Sequence, residues 1–82
     1  MNLARTPKQI GSVIRRARKS QGLTQAQLGG KAGLRQATIS LIENGNPDTK
    51  LETILKVLGA LDLEFRIGPR SKASGSDLEK IF

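Results

Sequence analysis

The chain contains no cysteine and no histidine. Their absence excludes disulfides, thiolate nucleophiles, the usual zinc ligands and imidazole acid–base catalysis. The carboxylates and lysines that remain are scattered, with no spacing that pairs them for catalysis. We therefore expect a protein that is not an enzyme and that needs neither a metal ion nor another cofactor.

Aromatic residues and long apolar runs are also scarce. There are two Phe and no Tyr or Trp, so the aromatic platforms that hold single-stranded nucleic acid are nearly missing. No apolar run approaches the roughly 20 residues that span a bilayer, and the N-terminus lacks an apolar core of the signal-peptide type. We expect a cytoplasmic protein with no membrane partner.

Positive charge is what the chain has in excess. Fourteen Lys and Arg stand against seven Asp and Glu, for a formal net charge of +7, which favours a polyanionic partner. Six cations fall in the first nineteen residues: Arg5, Lys8, Arg15, Arg16, Arg18 and Lys19. A solvated helix face explains this cluster equally well. A basic helix on a membrane surface is a weaker alternative, because similar apolar stripes recur along the chain, as core packing predicts.

Capping signals and apolar periodicity predict four helices in one small domain, which is all that 82 residues can build. Thr6, Pro7 and Gln9 combine an N-cap, a first-turn proline and a capping-box partner, so the first helix begins there. Its apolar positions have the spacing of a buried helix face: Ile10, Val13, Ile14 and Ala17. A second capping box, Thr24 with Gln27, starts a helix that runs to about residue 32.

The third and fourth helices follow a glycine turn. Gly33 supplies the residue that tolerates positive φ, and the third helix covers about 36–44 with Ile39 facing inward. Thr49 and Glu52 predict a third capping box at the start of the fourth helix. Its predicted core-facing positions are Leu51, Ile54, Leu55, Leu58 and Leu61.

The apolar period changes after the fourth helix. Apolar and charged residues alternate over 62–67, which predicts a strand with one apolar face. Its own chain offers no second strand, and unpaired N–H and C=O groups beside an apolar face do not persist alone. We therefore expect a homodimer in which this strand pairs with the same strand of a second copy. The predicted dimer contacts are Leu63, Phe65 and Ile67.

Two short helices joined by a glycine turn suit duplex DNA, because one can brace the backbone while the next enters the major groove. In the third helix, Gln36 can make two hydrogen bonds to adenine, and Ala37 and the Thr38 methyl can meet a thymine methyl. Arg35 suits guanine and equally suits a phosphate, and a solvent-facing side chain is the alternative for Gln36. The predicted base contacts are Arg35, Gln36, Ala37, Thr38 and Ser40.

Phosphate contacts are predicted around these helices. Gln25 lies at the start of the second helix, where free N–H groups and the helix dipole favour an anion. The full predicted set is Gln25, Asn44, Lys50, Arg15 and Lys19. Glu43 is expected to have a structural role, because a carboxylate facing phosphate would weaken binding. Dimer symmetry predicts an inverted-repeat operator. Because it binds DNA, the protein is expected to be nucleoid-associated.

Three residues depart from simple helix propensity. Gly29 and Gly30 lie inside the second helix, where glycine costs about 1 kcal/mol relative to alanine. Close packing against the third helix would explain Gly29, whereas Gly30 has no such explanation. Arg35 is a poor N-cap, so the start of the third helix should depend on packing or on DNA.

Residues 22–45 read GLTQAQLGGKAGLRQATISLIENG. The Thr-Gln pair, the buried Leu, the turn Gly, Ile-Ser and Glu-Asn-Gly resemble the XRE-type, Cro/repressor class of helix-turn-helix proteins, over about 8–61. The resemblance implies a mostly α, four-helix, lambda-repressor-like domain, here followed by the dimerising β-strand. Residues 1–68 would form this domain, and 69–82 a flexible tail.

Within the class, the chain is most similar to HipB-type antitoxins, in the QATIS run at 36–40, the Asn46-Pro47-Asp48 segment and the strand after the last helix. That resemblance implies an autorepressing antitoxin that neutralises a HipA-like serine/threonine kinase. Toxin-binding anchors in the tail would be Leu78, Ile81 and Phe82. The alternative for the tail is that it is inert. The alternatives for the function are a stand-alone phage or metabolic regulator and a purely protein-binding inhibitor.

Overall fold

Four helices supply the regular secondary structure of residues 3–70, the part of the chain that the computed structural model describes. They are α1 (Pro7–Ser20), α2 (Gln25–Ala32), α3 (Gln36–Glu43) and α4 (Leu51–Ala60). The mostly helical, four-helix prediction is confirmed. No helix within this part of the chain is both long and apolar enough to cross a membrane.

The predicted starts of α1 and α2 are confirmed. Thr6 caps α1 by accepting a hydrogen bond from the Gln9 N–H at 3.1 Å. In α2 both halves of the capping box form: Thr24 Oγ1 accepts from the Gln27 N–H at 3.0 Å, and Gln27 Oε1 accepts from the Thr24 N–H at 2.8 Å. Gly33, with φ +70°, ends α2 in the left-handed region that its lack of a Cβ permits.

The predicted capping box at the start of α4 is wrong. Lys50 occupies the N-cap position and makes no side-chain capping hydrogen bond. The preceding turn explains the difference, because Asn46 accepts from the N–H groups of both Asp48 and Thr49, at 2.9 and 3.4 Å. Thr49 therefore belongs to the turn, and α4 begins after Lys50. Arg35 likewise caps α3 without a side-chain hydrogen bond, as its propensity predicts.

The core draws on all four helices. Its fully buried apolar side chains are Ile14, Leu28, Ile39, Ile42, Val57 and Leu61. The predicted stripe of α4 needs correction, because Leu51 and Leu55 are 58% and 44% exposed, while Val57, outside that stripe, is buried. The helix turns Val57 and Leu61, one turn apart, towards the core, which leaves Leu51 and Leu55 on the outer side.

Residues 63–70 follow α4 without regular secondary structure. No strand forms within residues 3–70, so the strand predicted over 62–67, which needs a second chain, stays a prediction. Leu63 packs against the core, whereas Phe65 is 49% and Ile67 89% exposed. The tail residues Leu78, Ile81 and Phe82 lie outside the described residues.

The two glycines inside α2 have different surroundings. A Cβ on Gly29 would lie 2.7 Å from the carbonyl oxygen of Leu34, so close packing accounts for this glycine. The backbone that packs against Gly29 is the turn that leads into α3. A Cβ on Gly30 would meet nothing within 4 Å, and nothing in the structure explains that glycine.

Candidate nucleic-acid interface

The turn between α2 and α3 fixes how the two helices sit together. The Leu34 N–H donates to the Gly29 carbonyl at 2.8 Å, directly after the left-handed residue Gly33. The lack of a side chain at Gly29 lets this turn lie directly on α2. The third helix then buries Ile39 and Ile42 against the core and leaves its opposite face open.

The predicted base contacts divide into exposed and half-buried residues. Arg35, Gln36 and Ala37 are exposed at the start of α3. Thr38 and Ser40 are half-buried, and the Ser40 hydroxyl accepts a hydrogen bond from Asn44 Nδ2 at 3.4 Å. The first three are therefore the better placed to reach a ligand, and Thr38 and Ser40 lie at the edges of the open face.

One exposed residue on this face of α3 was not predicted from the sequence. Leu41 is 54% exposed, although it is a large apolar residue. It follows Ala37 by four residues, so the two share one side of α3. The signal was present in the sequence, because Leu41 lies outside the spacing of Ile39 and Ile42, but an apolar residue is assigned to the core by default.

A buried ion pair ties α1 to the end of α3. Glu43 is 4% and Arg18 8% exposed. Arg18 Nε donates to Glu43 Oε2 at 2.6 Å, and Nη2 donates to Oε1 at 3.0 Å. Arg18 Nη1 also donates to the Leu23 carbonyl at 2.8 Å, next to the start of α2. The predicted structural role of Glu43 is confirmed, and Arg18 is not one of the exposed cations of α1.

Two of the predicted phosphate contacts meet at this carboxylate, and a third is hydrogen-bonded to one of them. Arg15 Nε and Gln25 Nε2 each donate to Glu43 Oε1 at 3.3 Å. Arg15 Nη2 donates to Asn44 Oδ1, also at 3.3 Å. Side chains from α1, α2 and the end of α3 are thus brought together. The same network does not include Lys19 and Lys50, which are exposed at the end of α1 and before α4.

Electrostatics keep the ion pair charged. Burial raises the pKa of Glu43, but hydrogen bonds from Arg18, Gln25 and Arg15 outweigh it, so the pKa lies below its ordinary value. The hydrogen bond to Glu43 raises the pKa of Arg18. No buried side-chain nitrogen or oxygen among residues 3–70 lacks a partner. Since Arg18 balances Glu43, the 45% exposed side chain of Arg15 adds positive charge to the surface.

Residues 14–67 match a family model described as helix-turn-helix. Antitoxin HipB of Escherichia coli K12 is 35% identical over 75 residues, which cover 92% of this chain and 85% of the relative. The chain belongs to the HipB-type helix-turn-helix family. An uncharacterised HTH-type transcriptional regulator of Sinorhizobium fredii is 39% identical over 57 residues, 70% of this chain and 75% of the relative.

Solved structures of this HipB-type family support the same relationship. A HipB–O4 20mer complex superposes with a TM-score of 0.80 at 32% identity, over 87% of this chain and 100% of the other. A HipA–HipB–O2–O3 complex gives a TM-score of 0.78 at 36% identity, with the same coverage. The resemblance predicted from residues 22–45 is confirmed. The matched relatives bear the names of antitoxins and transcriptional regulators, not of enzymes.

Proposed function

We propose that the chain is a sequence-specific repressor that binds duplex DNA by inserting α3 into the major groove. The observation that carries the proposal is the open face of α3, which is flanked by Arg15, Gln25 and Asn44 on a single hydrogen-bonded network. HipB relatives of the same fold form complexes with a DNA 20mer. A major groove admits one α-helix, and side chains beside that helix then face the phosphates.

Base recognition is assigned to the open face of α3. Gln36 is exposed in the first turn and can make paired hydrogen bonds to adenine. Ala37 and Leu41 present apolar groups that fit a thymine methyl. Arg35 serves either a guanine or a phosphate, and Thr38 and Ser40 contribute from the edges.

Phosphate contacts are assigned to the residues around that face. Glu43 accepts hydrogen bonds from Arg15 and Gln25, which holds both side chains near the exposed Asn44. Lys19 and Lys50 add positive charge further out. Each neutralised phosphate contributes about 0.9 to the slope of log K against log salt, so binding should weaken steeply as salt rises.

The active species is proposed to be a homodimer paired through 62–67. Leu63, Phe65 and Ile67 of two copies would cover one another, which accounts for the exposure of Phe65 and Ile67. A two-fold axis would place two α3 helices about 34 Å apart, in successive major grooves. The operator is then an inverted repeat, and the protein resides on DNA in the cytoplasm.

Selection of bound duplexes from a random library tests this function. We expect an inverted repeat with half-sites about one helical turn apart, and two copies of the chain on each duplex by analytical ultracentrifugation. A scrambled duplex of equal length and composition is the control. Selection that enriches no common sequence would contradict the proposal, and enrichment of a single half-site would contradict its dimeric form.

A finer proposal concerns the partner. The chain is proposed to be the antitoxin of a kinase of the HipA type and to repress its own operon with it. Support comes from the HipB relatives and from the HipA–HipB–DNA complex that shares this fold. Residues 69–82 are proposed to contact the kinase through Leu78, Ile81 and Phe82. A stand-alone repressor is the other candidate, which a search of the adjacent gene for a kinase would distinguish.

Removing residues 69–82 tests the kinase contact. We expect weaker binding to the kinase, measured by calorimetry, with operator affinity retained, because the DNA-binding residues lie within residues 15–50. A full-length variant with alanine at the three apolar tail positions should behave in the same way. Unchanged kinase affinity in both proteins would leave the tail without this role.

A further inference from the structure

The outer side of α3 is apolar at its centre. Leu41 is 54% exposed and is not part of the core that residues 3–70 form. Of the exposed large apolar side chains within residues 3–70, Leu41 alone lies on α3. The others are Leu3, Leu51, Leu55, Phe65 and Ile67. A ligand that covers the outer side of α3 must therefore contact an alkyl group at its centre.

Polar and charged groups flank this apolar centre. Arg35 is exposed just before the first turn of α3. At the other end, Asn44 follows Leu41 by three residues, so the two are neighbours on the surface of the helix. Asn44 Nδ2 donates to the Ser40 hydroxyl at 3.4 Å, and Asn44 Oδ1 accepts from Arg15 Nη2 at 3.3 Å. An alkyl group between two cations fits a polyanion better than it fits an apolar protein surface.

Duplex DNA exposes one apolar group in its major groove, the 5-methyl group of thymine. Uracil and cytosine carry hydrogen at the same ring position, whereas 5-methylcytosine carries the methyl group. An alkyl side chain has no donor or acceptor, so it cannot distinguish the oxygen of thymine from the amino group of cytosine. It responds to the methyl group, because burying that group removes apolar surface from water.

We propose that Leu41 contacts the 5-methyl group of one pyrimidine in each half-site of the operator. This inference rests on the proposed insertion of α3 into the major groove, and it names the chemical group that is read there. Thymine and 5-methylcytosine both satisfy the contact, and uracil and unmethylated cytosine do not. Leu41 lies about 6 Å beyond Ala37 along the helix axis, roughly two base-pair steps of about 3.4 Å, so the two residues contact different base pairs.

Replacing thymine by uracil tests this contact, because it removes the methyl group and leaves every hydrogen-bonding group in place. Each thymine of the selected inverted repeat is changed in turn, in both half-sites, and affinity is measured by fluorescence anisotropy at one salt concentration. We expect wild-type affinity to fall at one symmetric position by about fourfold per half-site, the value of one buried methyl group. Leu41→Ala should bind the thymine and uracil duplexes with equal affinity, because its shorter side chain no longer reaches the methyl group.

Cytosine methylation provides a second, independent measurement. At the position that uracil identifies, a C·G pair replaces the T·A pair, with and without a 5-methyl group on the cytosine. The wild-type chain should bind the methylated duplex more tightly, again by about fourfold per half-site, and Leu41→Ala should bind both duplexes equally. Leu3→Ala is the matched control, because Leu3 is 61% exposed but lies before α1. It should respond to both changes as the wild-type chain does.

The remaining outcomes contradict different parts of the proposal. Unchanged wild-type affinity at every uracil would overturn the methyl contact and leave sequence-specific binding by α3 intact. An equal uracil effect in the wild-type chain and in Leu41→Ala would assign the methyl group to another side chain and overturn the role of Leu41. A uracil effect with no response to 5-methylcytosine would overturn recognition of the methyl group alone. Selection that enriches no common sequence would instead overturn the proposed function, and this inference with it.

Discussion

Replacing Glu43 by leucine is expected to reduce the free energy of unfolding by about 3–5 kcal/mol, because it leaves Arg18 buried without its counter-ion. Arg18→Met should cost less, since Glu43 then keeps its ion pair with Arg15 and the hydrogen bond from Gln25. The double variant should lose much less than the sum, because replacing a buried ion pair by apolar residues of similar volume is often nearly neutral. Urea denaturation of the four proteins measures all these differences.

The same pair gives stability a defined pH dependence. The pKa of Glu43 lies below its ordinary value of 4.5 in the folded state. Its contribution to stability is therefore fully present above the unfolded-state pKa and is lost as pH falls through the folded-state pKa. The double variant lacks this carboxylate, so its free energy of unfolding should decrease less as the pH falls. A double variant whose loss equals the sum of the single losses would show that Arg18 and Glu43 act independently.

Phe65→Asp is expected to convert the proposed dimer to a monomer, because it would place a carboxylate on each side of the proposed apolar interface. Affinity for the inverted repeat should fall by about 10²–10⁴-fold, since each copy must then bind its half-site alone. Sedimentation and fluorescence anisotropy measure the two effects on the same samples. Gly68→Asp is the matched control: it adds the same charge just beyond the predicted strand, where a Cβ meets nothing within 4 Å.

The outcome for Phe65 bears directly on how the site is assembled. A Phe65→Asp variant that remains dimeric at tens of micromolar would show that residues 62–67 do not hold the dimer. If the variant loses DNA affinity but remains dimeric, the substitution acts on the structure of each single copy and not on the dimer interface. Equal losses for Gly68→Asp would indicate that added negative charge, and not the apolar face, is responsible.

The helices were predictable where local chemistry decides them. The start of α2 is determined by the capping box of Thr24 and Gln27, and its end by Gly33. Both signals are local in sequence, and both appear in the structure. The fourth helix was less predictable, because its apolar residues nearly surround it and only packing decides that Val57 faces inward and Leu55 outward. Local sequence cannot determine that rotation.

The site was predictable in part for the same reason. Exposed positions at the start of α3, such as Gln36, follow from helix position alone. The network on Glu43 does not, because its donors Arg18 and Gln25 lie 25 and 18 residues away along the chain. The pairing proposed for 62–67 would need a second chain, so neither the sequence pattern nor one folded copy would contain its hydrogen-bond partners.

The most direct test of the central claim, that α3 recognises base sequence, is the affinity of Gln36→Ala for the selected inverted repeat and for random duplex DNA at one salt concentration. Truncating a base contact should cost roughly 1–3 kcal/mol on the specific site and little on random DNA. Lys19→Ala is the control, because Lys19 is a proposed phosphate contact and loss of such a contact should weaken binding to both duplexes alike. Equal losses for Gln36→Ala on both duplexes, or no loss on either, would contradict the account.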